Sequence, residues 1–203
     1  EWNEVVSTLP TASPATGYKF EGWMPSIPND KYKIENNLKF TANFVARTDT
    51  KYIVKHYLQN VVDNEYTLDD LVNMTGTTGA YTEAIAKSYT GFTLAGEINQ
   101  VIISADGTTI VEVYYNRNMY DLTYSIIGEH FKNTEYAKNS YKFGASIPVK
   151  ETPIQTGYTF NGWTGELDTM PAHNLTVTGY YVANSVEYTV NYLKQGTSEK
   201  LKT

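Results

Sequence analysis

The chain has 203 residues, 41% of them hydrophobic and only 19% charged, with 18 tyrosines, no cysteine and a net charge of −6. The acidic balance lacks the basic footprint of a nucleic-acid binder, no apolar run approaches a membrane span, and the missing cysteines exclude disulfide staples and thiolate zinc sites. The length allows one or two domains, and the wealth of Tyr, Thr, Val and Ile suits half-buried pleated surfaces, so the chain reads as mainly β, with α+β character still open.

Glu1 to Pro14 has little periodicity and lacks the basic and apolar regions of a signal peptide, so it reads as the irregular lead-in to a window cut from a longer array. Thr16-Gly17-Tyr18-Lys19-Phe20-Glu21-Gly22-Trp23 follows, then a proline-rich connection at Met24-Pro25 and Ile27-Pro28-Asn29-Asp30. Leu38, Phe40, Ala42, Phe44 and Ala46 alternate with Lys39, Thr41, Asn43 and Val45, the period of a half-buried strand. Arg47-Thr48-Asp49-Thr50 is short and polar, and the first boundary falls there.

Tyr52 to Leu58 opens a second kind of module. Asp63, Glu65, Asp69 and Asp70 lack the glycine-centred spacing of a calcium loop, so Val61 to Asp70 reads as a solvated connection. Thr82 to Ser88 has room for one or two helical turns with Thr82 as N-cap. Ala105-Asp106-Gly107-Thr108 carries a hairpin signal, and Thr109 to Tyr115, apolar on both faces, is expected to be a central strand.

Asn116-Arg117-Asn118 punctuates the chain again, and Tyr120, Leu122, Tyr124 and Ile126 alternate as a strand. Gly128 to Tyr141 fits no single template. Thr156-Gly157-Tyr158-Thr159-Phe160-Asn161-Gly162-Trp163 then repeats the first octet about 140 residues on. Leu175, Val177, Gly179, Tyr181 and Ala183 align with Leu38 to Ala46, and Glu187 to Leu193 matches Lys51 to Leu58 one residue shorter. Four parts result: the tail of one module at 1–46, a different module at 47–118, a whole module of the first kind at 119–184, and the head of the second kind at 185–203. Partial modules expose strand edges, so the ends are expected to find partners in neighbouring repeats.

Within each octet, period two puts Tyr158, Phe160 and Gly162 on one face and Thr159, Asn161 and Trp163 on the other, with a bulge or kink at the glycine. Asn161-Gly162 also spells a tight hairpin tip, but Glu21-Gly22 in the other copy is a poorer turn former. Gly17, Tyr18, Phe20, Gly22, Trp23 and Gly157, Tyr158, Phe160, Gly162, Trp163 are accordingly read as a structural core motif. Core packing of the two tryptophans competes with a sugar-binding platform, which a lone ring supports weakly.

No catalytic, cofactor or metal site emerges. His56, His130 and His173 are scattered, and no nucleophile elbow, Walker loop or dinucleotide fingerprint occurs. Glu166 and Asp168 follow Trp163 in a polar connection whose counterpart, Ser26 to Asp30, does not repeat the pair, which argues against a shared glycosidase couple.

The module Met119 to Asn184, with its octet and Met170-Pro171-Ala172 before a final strand, resembles the Listeria–Bacteroides repeat, also called the internalin-type B repeat. Thr48 to Asn118, through Tyr52-Ile-Val-Lys-His-Tyr57-Leu58, Tyr89-Thr-Gly91-Phe92-Thr-Leu94 and Thr108 to Asn118, resembles a mucin-binding-protein (MucBP-like) repeat. The resemblances imply tandem small β-grasp-like modules in an extended array, in a secreted, wall-anchored surface protein of Gram-positive type whose anchor lies outside these residues. They imply no enzyme and no cofactor. A stalk that presents an adhesive tip is the function they favour; the alternative is an adhesin module that itself binds host mucin or glycan.

Overall fold

The computed structural model describes residues 10–26, 37, 39–128, 131–148 and 150–201, with backbone alone at 131–134. Leu38 and the Ile27 to Asp30 connection lie outside the described residues. Ten strands form three separate sheets, and no helix occurs among the described residues. β1 (Tyr18–Met24) and β2 (Thr41–Ala46) make an antiparallel pair. β3 (Thr50–Gln59), β4 (Tyr66–Gly76), β5 (Phe92–Leu94) and β6 (Ile110–Arg117) form a sheet of order β4-β3-β6-β5. β7 (Met119–Gly128), β8 (Phe131–Lys142), β9 (Tyr158–Thr164) and β10 (Leu175–Ala183) repeat that order as β8-β7-β10-β9. The protein is thus an all-β chain of small tandem modules, divided into two compact units at 1–118 and 119–203.

The two larger sheets share one plan although their sequences differ. The first strand turns back as a hairpin, the last strand enters beside the first in parallel, and the third covers its far edge. Alternation sorts their faces. In the middle sheet Tyr52, Val54 and His56 of β3 and Val111, Val113 and Tyr115 of β6 are buried. β6 is internal, but only one of its faces is core, because Ile110 and Tyr114 on the other face are exposed.

A parallel pair needs a crossing connection, and here the connections themselves cover the core. Between the strands, Gly79 to Ala84 runs extended against Gln100 to Ile103 through Thr82 N–H to Val101 O (2.8 Å) and Ile103 N–H to Ala80 O (2.8 Å), with Ala84 and Ile103 buried on the sheet. The helical turns expected at Thr82 to Ser88 are therefore absent. Gln100 provides the reason: its Oε1 accepts from Thr82 Oγ1 and the Ala84 amide, while its Nε2 donates to the Ala84 carbonyl. So short a helix is marginal by itself, and a side chain that satisfies the extended backbone decides against it. The second unit does the same with Met170, whose amide and carbonyl bond to Ala145 and Gly144 and whose side chain is buried.

Two other expectations change. Val61 to Asp70 is not all connection, since β4 begins at Tyr66; its polar face meets solvent, which disguises the strand. Asp106-Gly107 is a turn, but not a hairpin: Asp106 Oδ1 accepts from the Thr108 amide and hydroxyl, and the segment before it pairs with the crossover instead of β6.

β10 carries a second spatial constraint. Gly179 lies opposite Trp163, and a Cβ there would stand 2.6 Å from both the Phe160 and Trp163 rings. Gly179→Val should cost about 1–3 kcal/mol of stability by overpacking, measured as faster amide exchange along β10. Unchanged protection would show that the rings move aside freely.

Candidate functional site

Each octet begins with a type II turn. Ala15-Thr16-Gly17-Tyr18 and Gln155-Thr156-Gly157-Tyr158 both close with an i to i+3 bond of 3.1 Å, and both glycines have φ of +80°. That conformation excludes most side chains at the third position. A third copy, Tyr89-Thr90-Gly91-Phe92, has the same 3.1 Å bond and a glycine φ of +78°. In all three the glycine carbonyl accepts the amide of the residue that leaves the sheet's last strand: Arg47 on Gly17 (2.8 Å), Asn118 on Gly91 (2.9 Å) and Asn184 on Gly157 (2.9 Å). The Tyr89-Thr-Gly91-Phe92 motif is visible in the sequence; its equivalence to the octet's turn is not, because the rest of the octet is missing there.

After the turn the octet is a strand with a bulge, and not a hairpin tip. The register slips between Phe20 and Gly22 in β1, and opposite Gly179 to Tyr181 in β9. Gly162 takes φ of +95° and Gly22 +156°. The extra residue corrects the expected facing, because it turns the tryptophan to the side of the phenylalanine. Phe160 and Trp163 meet edge to face at 4.9 Å, as do Phe20 and Trp23 at 5.6 Å. Trp163 also lies against Tyr124 (4.9 Å) and Tyr136 (5.8 Å), while Phe160 and Tyr158 pack on Tyr181. Trp23 and Trp163 are both half-buried; Tyr18 is exposed and Tyr158 half-buried. Tyr124, only 2% exposed, has its hydroxyl pushed above the usual tyrosine range by burial.

On the solvent side of the middle sheet a tyrosine cluster forms that no sequence motif announces. Parallel pairing sets Tyr57 beside Tyr114, and their rings stack at 5.0 Å and 17°. Tyr66 meets Tyr114 edge-on at 5.0 Å. Tyr57 and Tyr114 donate to the two oxygens of Glu112 at 3.2 and 2.8 Å, and Tyr66 donates to Asn116. The bond to Glu112 holds the Tyr114 hydroxyl at about 12. Burial, then Glu112, raises Tyr57. Such a cluster could stack on a sugar, but Tyr57 and Tyr114 already cover one face of each other, and the three hydroxyls are bonded to Glu112 and Asn116.

His56 is 1% exposed inside the same sheet. The Lys87 amide donates to the Tyr115 hydroxyl (2.7 Å), which is hydrogen-bonded to His56 Nδ1 at 3.0 Å. The buried imidazole disfavours a charge. Burial lowers its pKa first, and the Lys87 charge adds to this against opposing pulls from Asp70 and Asp69. His173 is exposed and bonds to the Asn174 carbonyl; His130 lies outside the described residues. Glu166 and Asp168 are exposed, and no cluster of three potential metal ligands occurs among the described residues.

Residues 128–196 match the model of the divergent InlB B-repeat domain. Nothing shows a MucBP repeat, and no curated protein matches the chain. InlB B-repeat domains occur in bacterial surface proteins, and the match supports a non-catalytic cell-surface repeat region.

A histidine kept neutral in the fold makes stability depend on pH. The unfolded chain binds the extra proton below about pH 6.5 while the folded chain resists it, so stability is full above that value and falls as pH drops toward the lower folded pKa. The middle sheet should lose stability as pH falls below about 6.5, and His56→Gln should flatten that slope. Denaturant melts at three pH values check this; a flat profile in the unaltered chain contradicts the neutral, buried assignment.

Proposed function

We propose that the chain is a spacer region of a bacterial surface protein, in which modules in series hold a separate binding element away from the cell. One observation carries this reading. Three sheets, each built from one contiguous stretch, carry the same Thr-Gly-aromatic turn before the strand that pairs with the last one, and the turn's glycine carbonyl takes the amide that leads out of the sheet. That is the economy of an array, in which each module needs only its own stability and a defined exit to the next. The described side chains fit the same purpose: aromatic rings pack on one another, and the histidine of the middle sheet is structural.

The runner-up, a module that itself grips mucin or another host glycan, would use the Tyr57, Tyr66 and Tyr114 cluster. The two readings separate on a glycan and mucin array run beside a stability measurement. Trp163→Ala should cost about 3 kcal/mol, the low end for a large aromatic because the ring is only half-buried. The unaltered chain should show no specific retention. Retention that Tyr66→Ser or Tyr114→Ser abolishes, without a change in unfolding temperature, would replace the spacer with an adhesive module.

A further inference from the structure

We propose that the Thr16-Gly17 turn is one half of a module-to-module joint, seated in a notch of the middle module lined by Thr78 and Ala105 of its crossing connections. A Cβ on Gly17 would stand 2.7 Å from Ala105 Cβ, 2.9 Å from Ala105 Cα and 2.9 Å from Thr78 Oγ1, so backbone meets backbone with no space for a side chain. Polar bonds run through the same point. The Arg47 amide donates to the Gly17 carbonyl (2.8 Å), the Thr78 amide donates to the Arg47 carbonyl (2.9 Å), and Thr78 Oγ1 bonds to Thr50 Oγ1 (2.7 Å) with both threonines buried. Arg47 is therefore held from both sides, and the three residues between β2 and β3 are a fixed corner and not a loose tether.

The second octet supplies the contrast. Gly157 has the same neighbours in sequence, the same φ of +80° and the same bond from the following amide, yet nothing lies within 4 Å of its Cβ position. Gly17 is buried and Gly157 is exposed. The turn alone accounts for a glycine at both sites; the joint accounts for the burial at one. This inference deepens the spacer reading by naming the partner of the octet's turn: the Thr78 and Ala105 notch of the module that follows.

The matched pair Gly17→Ala and Gly157→Ala tests it in the full chain, since both introduce the same backbone strain and only one adds a collision. Hydrogen exchange is read at the Arg47, Thr78 and Asn184 amides, with Val54 and Val113 as reporters of the sheet itself. Gly17→Ala should speed exchange at Thr78 and Arg47 by about tenfold or more while Val54 and Val113 hold. Gly157→Ala should change Asn184 far less. Equal acceleration at Arg47 and Asn184 with Thr78 unaffected overturns the joint. Should Gly17→Ala melt the β1-β2 pair outright, Ala105→Leu decides, because it fills the notch without touching the turn: acceleration at Arg47 and Thr78 supports the joint, and wild-type rates overturn it. A joint that passes in a chain that nonetheless grips glycan would remove the spacer reading and leave the joint standing.

Discussion

The parallel pairing of first and last strands governs each larger module. Val54 beside Val111, and Tyr124 beside Val177, bring the two ends of about seventy residues into register at the centre of a sheet. No tight turn can join such strands, so the chain must cross the sheet, and in a module this small the crossing segment is also the only material that can cover the core. Here an extended connection with alternating burial meets that requirement. Ala84 and Ile103 plug one sheet, and Met170 the other. Small domains bury a smaller share of their surface than large ones, which explains why these cores rest on large aromatic rings.

Aromatic packing in turn sets the glycines. In β10, Gly179 leaves a trench across which Trp163 reaches Tyr124 on β7, two strands away. The first copy has Ala42 at that position, opposite Trp23, and its Phe20 and Trp23 rings stand 5.6 Å apart where Phe160 and Trp163 stand at 4.9 Å. One methyl group in the trench fits the wider spacing. The bulge completes the arrangement, for without its extra residue the tryptophan would point to solvent.

Strand alternation was legible wherever one face was core and the other polar, as in Tyr120 to Ile126 and Leu175 to Ala183. The repeat of the octet was legible because identical residues recur at fixed spacing. Four features were not. Period two cannot foresee that a bulge reverses the side on which Trp163 falls. Thr82 to Ser88 has helix-compatible residues, and only the distant Gln100 reveals that its backbone is satisfied in extended form. Polar composition hid the first half of β4. The tyrosine cluster escaped for a further reason: Tyr57 and Tyr114 meet through a parallel register between segments more than fifty residues apart.

That cluster also shows why an abundance of tyrosine need not mean recognition. A sugar ring stacks on an aromatic face that is open and rigid, and it trades hydrogen bonds with nearby carboxylates and amides. Here Tyr57 and Tyr114 cover each other, a contact worth about 0.5–1.5 kcal/mol. Both oxygens of Glu112 already accept phenolic protons. A ligand that used the inner ring faces or the Glu112 carboxylate would have to break these contacts first. The arrangement instead ties three strands together on the face that the crossover leaves uncovered, which is what a one-sided core needs most.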